Sequence, residues 1–320
     1  MSKLEQLINE LCPNGVEFKK IKNSYTRIKG TPITAGKMKE IASDDGEIKI
    51  FAGGKTVITA HEADIPNANI TRVPAVLVQS RGVIDAVYYD KPFTFKNEMW
   101  AYTADNPIKV KYLYYVLKNN IEHFREAASG MGSLPQISLR VTEDFIIPLP
   151  PLPVQEEIVR ILDKFTELTT ELTTELTARK QQYEYYSESL LNFKEEYDCK
   201  KIKLKEICDI YLGLTATPKY TNSGVKFISA QNTSKDFLDL ENVKYISEID
   251  YAKATSNAKP KRGDILFTRV GSNLGHPVII DTDEKLCIFV SLGFLRIKNK
   301  NIVSNSYLKH WMNTDLFWSQ

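Results

Sequence analysis

Between Val154 and Tyr197 the chain contains neither proline nor glycine, and directly before that stretch stand four prolines, Pro148, Pro150, Pro151 and Pro153. Proline lacks a backbone N–H and disfavours helical backbone at the residue before it, so Ile147–Pro153 predicts an extended strut. The residues beyond predict the opposite. Ile158, Ile161, Leu162, Phe165, Leu168, Leu172, Leu176, Tyr183, Tyr186 and Leu190 recur mostly at three- and four-residue spacing, the period of one helix face. A continuous helix here is about 65 Å long at 1.5 Å per residue. Such a rod cannot be packed within one small globule, so its apolar stripe calls for a partner helix.

Within the rod a four-residue unit occurs three times: Thr166-Glu167-Leu168-Thr169, Thr170-Glu171-Leu172-Thr173 and Thr174-Glu175-Leu176-Thr177. Four residues advance an α-helix by about 6 Å and overshoot one turn by about 40°. The run reads as a helical spacer whose length matters.

The rod also divides the chain, into residues 1–153, 154–197 and 198–320. Of 320 residues, 42 are Lys or Arg and 40 are Asp or Glu, giving +2 overall. That sum hides a pattern, because the three segments carry +2, −5 and +5. Near-zero net charge excludes a strongly basic nucleic-acid coat and an acidic disordered chain, while leaving room for local basic patches. One such patch lies between positions 16 and 40, where Lys19, Lys20, Lys22, Arg27, Lys29, Lys37 and Lys39 face only Glu17 and Glu40. No run of about 18 apolar residues and no basic-then-apolar leader is present, so a cytoplasmic protein with no membrane partner is expected. Cys12, Cys199, Cys208 and Cys287 are scattered, as are His61, His123, His276 and His310, so reduced thiols and no metal site are expected.

The flanks resemble distant copies of each other. Phe18-Lys19-Lys20-Ile21-Lys22 matches Cys199-Lys200-Lys201-Ile202-Lys203 at an offset of 181. Val76-Leu77-Val78 and Gly82 match Ile265-Leu266-Phe267 and Gly271 at 189, and Tyr112-Leu113 and Leu117 match Tyr307-Leu308 and Met312 at 195. Matches in the same order with slowly growing offsets indicate a duplicated domain. Both copies predict mixed α/β structure, with strands over 73–78, 84–89, 265–267, 278–280 and 294–297 and helices over 112–124 and 307–317. Turns are expected at Gly53-Gly54, Asp44-Asp45-Gly46 and Asn222-Ser223-Gly224.

Catalytic signatures fail on inspection. Gly54-Lys55-Thr56 ends like a phosphate-binding loop, but Lys49 occupies the position of the required first glycine. Gly130-Met131-Gly132 opens like a dinucleotide fingerprint, but Pro135 stands at the third-glycine position. There is no G-x-S-x-G elbow, no H-E-x-x-H pair and no proline-proline-aromatic motif for a flipped base. A non-catalytic chain is expected.

The sixteen residues Ile147-Pro148-Leu149-Pro150-Pro151-Leu152-Pro153-Val154-Gln155-Glu156-Glu157-Ile158-Val159-Arg160-Ile161-Leu162 resemble the conserved-region signature of the specificity subunits of type I restriction-modification systems. Gly263-Asp264-Ile265-Leu266-Phe267-Thr268-Arg269-Val270-Gly271-Ser272 is similar to a segment common in their recognition domains, and Leu11-Cys12-Pro13-Asn14-Gly15-Val16 to their usual start. The resemblance covers essentially the whole chain. It implies an α/β (α+β) architecture: a first target-recognition domain with its strut (1–153), a long coiled-coil-forming helix (154–197) and a second target-recognition domain (198–320). The implied function is to read a bipartite sequence in double-stranded DNA for phage defence. Adenine methylation with S-adenosylmethionine would belong to modification subunits, and ATP- and Mg-dependent translocation and cleavage to a restriction subunit. Family members also carry a second conserved helix antiparallel to the central one. It is missing here, which suggests a truncated chain with an incomplete second domain.

The stripe Ile158, Ile161, Leu162, Phe165, Leu168, Leu172, Leu176, Tyr183 and Leu190 is therefore the candidate interface for a helix from a second copy or for the modification subunits. Glu167, Glu171 and Glu175 would repel phosphate and turn the rod toward protein. DNA reading needs cations for phosphate and polar side chains for base edges. The candidates in the first domain are Lys37, Lys39 and Lys55 for phosphate and Arg81 for a groove contact; in the second they are Arg269, Ser272, Asn273 and His276. Two other classes remain open: a helical scaffold with protein-binding flanks, and an autonomous sequence-specific regulator.

Overall fold

A computed structural model describes residues 2–129, 134–191 and 202–319. Its elements fall into two units, Met1–Thr173 and Thr174–Gln320. The first begins with α1 (Lys3–Leu11), whose start is fixed by a capping box between Ser2 and Glu5. There follow β1 (Glu17–Lys20), β2 (Thr26–Lys29), α2 (Ala35–Ile41), β3 (Ile48–Phe51), β4 (Val57–Ala60), β5 (Ala75–Gln79), β6 (Asp85–Tyr89), β7 (Phe93–Phe95) and β8 (Trp100–Thr103). Then come α3 (Pro107–Asn119), α4 (Ile121–Glu126), α5 (Leu139–Glu143), β9 (Ile146–Leu149) and α6 (Leu152–Leu191), whose residues from Thr174 on belong to the second unit.

An antiparallel sheet in the order β2-β8-β5-β6 lies between a helix layer and a smaller sheet, β4-β3-β7, in which β3 and β7 run parallel. Strand β5 is buried on both faces, which is why it reads as an unbroken apolar run. Val76 and Val78 join Leu113 and Leu117 of α3 in one core, while Leu77 meets Phe51, Phe93 and Phe95 in the other.

The second unit repeats this plan. It comprises α7 (Leu204–Ile207), β10 (Cys208–Leu212), β11 (Tyr220–Thr221), β12 (Val225–Ile228), β13 (Lys244–Ile246), α8 (Glu248–Ala254), β14 (Ile265–Thr268), β15 (Pro277–Ile279), β16 (Leu286–Ile288), β17 (Leu292–Ile297), α9 (Asn305–Met312) and α10 (Asp315–Trp318). Its sheets run β10-β17-β14-β15 and β11-β13-β12-β16, again with one parallel pair, β12 and β16. The repeat extends to single residues. Ile265 packs on Leu308 and Met312 of α9 as Val76 packs on Leu113 and Leu117 of α3. At both Gly30 and Gly213 a Cβ would lie 2.1 Å from a carbonyl oxygen, of Phe95 and Phe289 respectively, so each site requires glycine for the close approach of two chain segments.

The structure corrects several local expectations. The segment Ile147–Pro153 is not one strut: Pro148 lies in β9, paired with Phe18, whereas Pro153 sits in the first turn of α6. Proline is tolerated there because first-turn N–H groups have no intrahelical acceptor. The helix expected over 112–124 divides at Asn120 into α3 and α4, and that over 307–317 divides into α9 and α10. The Gly130-Met131-Gly132-Ser133 segment and Cys199-Lys200-Lys201 lie outside the described residues.

Helix α6 is held in the first unit by its opening turns. Val154 and Val159 are buried, and the buried Glu157 carboxylate meets Lys3 of α1 at 3.0 Å and Arg160 at 2.7 Å. Hydrogen bonds from Arg160 and then Lys3 pull its pKa down to about 2. Asp163 accepts from Tyr115 and Lys111 of α3, at 2.5 and 2.7 Å. Beyond Lys164 the helix emerges from this support. The repeat threonines bond back one turn, Thr169 to the Phe165 carbonyl and Thr173 to that of Thr169, which satisfies hydroxyls of low helix propensity. Among the described residues no helix is long and apolar enough to cross a membrane.

Candidate nucleic-acid interface

Helix α2 and three connections of the first unit converge on one cleft of about 440 Å³. Lys39 comes from α2, Ala52–Gly54 and Thr56 from the β3–β4 turn, Arg81 from the β5–β6 turn, and Lys96 and Glu98 from the β7–β8 connection. Backbone hydrogen bonds lock them together: Gly54 N–H donates to the Arg81 carbonyl at 3.0 Å, and Lys96 N–H to that of Phe51 at 3.0 Å. The Glu98 carboxylate accepts from Gly53 N–H at 3.2 Å and from the Lys96 ammonium at 3.1 Å.

Ion pairing sorts the predicted residues. Lys39 and Arg81 line the cleft, Lys55 is exposed in the β3–β4 turn, and none of the three makes an ion pair among the described residues. Lys37 is different, since its ammonium is 2.7 Å from Glu40 one turn on. Unpaired cations around a concavity favour an anion there, with no existing partner to displace. Gly54-Lys55-Thr56 forms part of this hairpin turn and not the strand-to-helix turn of a phosphate-binding loop.

The second unit has a cleft of about 330 Å³ at the same place in its fold. It is lined by the β12–β13 connection (Ser229–Asn232 and Asn242), Lys244 of β13, and Phe289 and Ser291 after β16. Register makes the equivalence strict: Phe51 pairs with Phe95 and Ile228 with Ile288, each in the parallel pair of its small sheet. Ala230 N–H then donates to the Ser291 hydroxyl at 3.2 Å, as Gly53 N–H donates to Glu98. The Lys244 ammonium lies over the Tyr220 ring at 4.4 Å.

None of the residues predicted in this unit lines that second cleft. Arg269, Ser272, Asn273 and His276 belong to the β14–β15 connection. Asn273 and His276 border a separate hollow of about 290 Å³ beside Trp318, and the His276 ring meets the Lys235 carbonyl at 3.1 Å. Ser272 is exposed. Arg269 directs its guanidinium to the Val290 carbonyl, and its N–H donates to the carbonyl of Ser291, a residue of the cleft. By the offset that aligns β5 with β14, Arg269 stands where the first unit has Ser80, and Arg81 corresponds to Val270. Sequence reasoning missed Lys96 and Glu98, and Gln231, Asn232, Asn242, Lys244 and Ser291. No motif marks them; they come together only through the pairing of β3 with β7 and of β12 with β16.

A larger hollow of about 750 Å³ lies between β6, α3 and α6 of the first unit. Its charges are already matched, Lys111 with Asp163, Lys118 with Asp85 and Lys164 with Glu167. It is a joint between elements, not an anion site.

On α6, Ile158, Ile161 and Leu162 are half-buried, whereas Phe165, Leu168, Leu172, Leu176 and Leu190 are exposed. Tyr183 is exposed as well, but its hydroxyl is 2.9 Å from His310 Nδ1 of α9.

Among known proteins, the family model described as type I restriction modification DNA specificity domain matches residues 16–179. The chain is 33% identical over 218 residues to the specificity subunit of the Escherichia coli type I restriction enzyme EcoR124I/EcoR124II, covering 64% of this chain and 52% of that one. It is 32% identical over 232 residues to a putative type I restriction enzyme specificity subunit of Haemophilus influenzae, covering 68% and 57%. The chain thus spans little more than half the length of these curated relatives. In structure it resembles the S subunit of a type I restriction-modification system from M. genitalium, with a TM-score of 0.61, 16% sequence identity, and coverage of 93% of this chain and 77% of that one.

Proposed function

Because the chain belongs to the type I restriction-modification DNA specificity family, we propose that it reads a bipartite target in double-stranded DNA, one half-site in each unit. The observation that carries this is the pair of clefts, equivalent in fold position and hydrogen bonding but lined by different polar side chains. A duplicated frame with divergent linings suits two different half-site sequences. Lys39, Lys55 and Arg81 engage the backbone or a groove at one half-site, and Lys244 with Gln231 and Asn242 does so at the other. Arg269, Ser272, Asn273 and His276 stay candidates for flanking contacts.

The chain itself does no chemistry in this reading. Methylation of adenine, with S-adenosylmethionine, belongs to modification subunits, and cleavage, with ATP and Mg, to a restriction subunit. The exposed stripe from Phe165 to Leu190 is covered by a helix of a second copy or of the modification subunits, which removes apolar surface from water. The repeat then acts as a ruler. Deleting one four-residue unit shortens α6 by about 6 Å and turns its ends by about 40° relative to each other. Methylome sequencing of cells carrying that deletion should show an altered gap between unchanged half-sites, and an unaltered gap contradicts the ruler. Electrophoretic shifts with the chain alone and with modification subunits test the function itself. A scaffold gives no site-specific shift in either case, and a regulator shifts its site without a partner.

A further inference from the structure

The cleft of each unit contains one side chain tied to the same backbone amide by the same bond, and there the two units differ most in chemistry. Gly53 N–H reaches Glu98 Oε1 at 3.2 Å and Ala230 N–H reaches Ser291 Oγ at 3.2 Å. A neutral hydroxyl also satisfies this amide, so the frame does not require the negative charge of Glu98. The charge is nevertheless kept in a cleft whose other ionisable side chains, Lys39, Arg81 and Lys96, are cations.

Of these, Lys39 and Arg81 suit phosphate, whereas Lys96 is paired with Glu98 at 3.1 Å and Glu98 itself disfavours phosphate, because phosphate and carboxylate repel each other. A carboxylate accepts only N–H or O–H donors, and its two oxygens offer about four lone-pair sites. Here Oε1 accepts from Gly53 and Oε2 from Lys96 at 3.1 Å, leaving a lone pair on each oxygen for a further donor. On base edges in the major groove the N–H donors are the exocyclic amino groups of cytosine and adenine.

We propose that this shared position selects a base in each half-site, Glu98 by accepting the amino group of a cytosine or adenine and Ser291 by donating its hydroxyl proton to an acceptor edge. The inference rests on the DNA-reading function proposed above. Serine can also accept, so its selection is the weaker of the two.

The test uses the full chain with its modification subunits in cells, with methylome sequencing as readout. Glu98→Gln retains an oxygen for Gly53 N–H and replaces the other with an amide donor. The expected result is a loss of roughly tenfold in preference for the amino-bearing base at one position of one half-site. The other half-site stays unchanged. Ser291→Ala should relax one position of the opposite half-site. Circular dichroism of both variants confirms the fold, and the near-isosteric Gln keeps the first arm readable if the second variant is unstable. Unchanged motifs in both variants, or a uniform fall in methylation with the motif intact, overturn the inference. If the unaltered chain directs no methylation motif at all, the DNA-reading function fails first and the inference with it.

Discussion

The two units share a frame and differ in what the frame displays. Leu113 and Leu308 are both buried beneath equivalent sheets, and Gly30 and Gly213 each permit a close approach of two chain segments. Tyr112 and Tyr307, one residue before those leucines, part ways: Tyr112 is buried with its hydroxyl donating to the Pro148 carbonyl, while Tyr307 is 41% exposed. Positions that hold strands together are thus alike, and positions facing a cleft or a neighbouring segment vary. Backbone packing tolerates few side chains, whereas a concave surface can be relined without disturbing the sheets behind it.

The largest expected effect tests the shared frame. Gly30→Ala and Gly213→Ala should each destabilise their unit by about 3 kcal/mol or more, because a carbonyl oxygen occupies the space of the new Cβ. Urea unfolding checks this, and a cost in one unit alone breaks the equivalence. Leu113→Ala and Leu308→Ala should each cost about 2–5 kcal/mol by the same measurement. A smaller effect sharpens the contrast. Tyr112→Phe should cost about 1 kcal/mol through the lost bond to Pro148, and Tyr307→Phe close to nothing.

Much of this frame was legible in the sequence, and the reason is periodicity. The three- and four-residue spacing from Ile158 to Leu190 marks a helix whatever surrounds it, and the offset of 189 between Val76 and Ile265 marks equivalent strands. Helix ends were less legible, since Pro153 breaks a helix interior but not a first turn. The first cleft was half read. Lys55 follows the expected Gly53-Gly54 turn, Arg81 precedes Gly82, and Lys39 belongs to the basic stretch between positions 16 and 40, while Lys96 and Glu98 follow a short strand with nothing to distinguish them. In the second unit the β12–β13 connection is longer than the β3–β4 turn, and the residues it delivers come together only through sheet register.

Acid should separate the units as well. Glu157 anchors α6 to α1 in the first unit only, and its pKa in the fold lies near 2 against an ordinary 4.5. A depressed carboxylate pKa contributes stability that is complete above the unfolded value and is lost as pH falls from about 4.5 through about 2. The stability difference between the unaltered chain and Glu157→Gln should therefore shrink over that window. A difference that stays constant removes Glu157 as the anchor.

The central claim is that each cleft reads its own half-site. The most direct measurement selects bound sequences from randomised duplexes with the full chain and its modification subunits. It compares the unaltered protein with Lys39→Ala/Arg81→Ala and with Gln231→Ala/Asn242→Ala. The account predicts that the first pair weakens binding through one half-site and the second relaxes the sequence of the other, with the gap unchanged. Variants that alter both half-sites together, or neither, would contradict it.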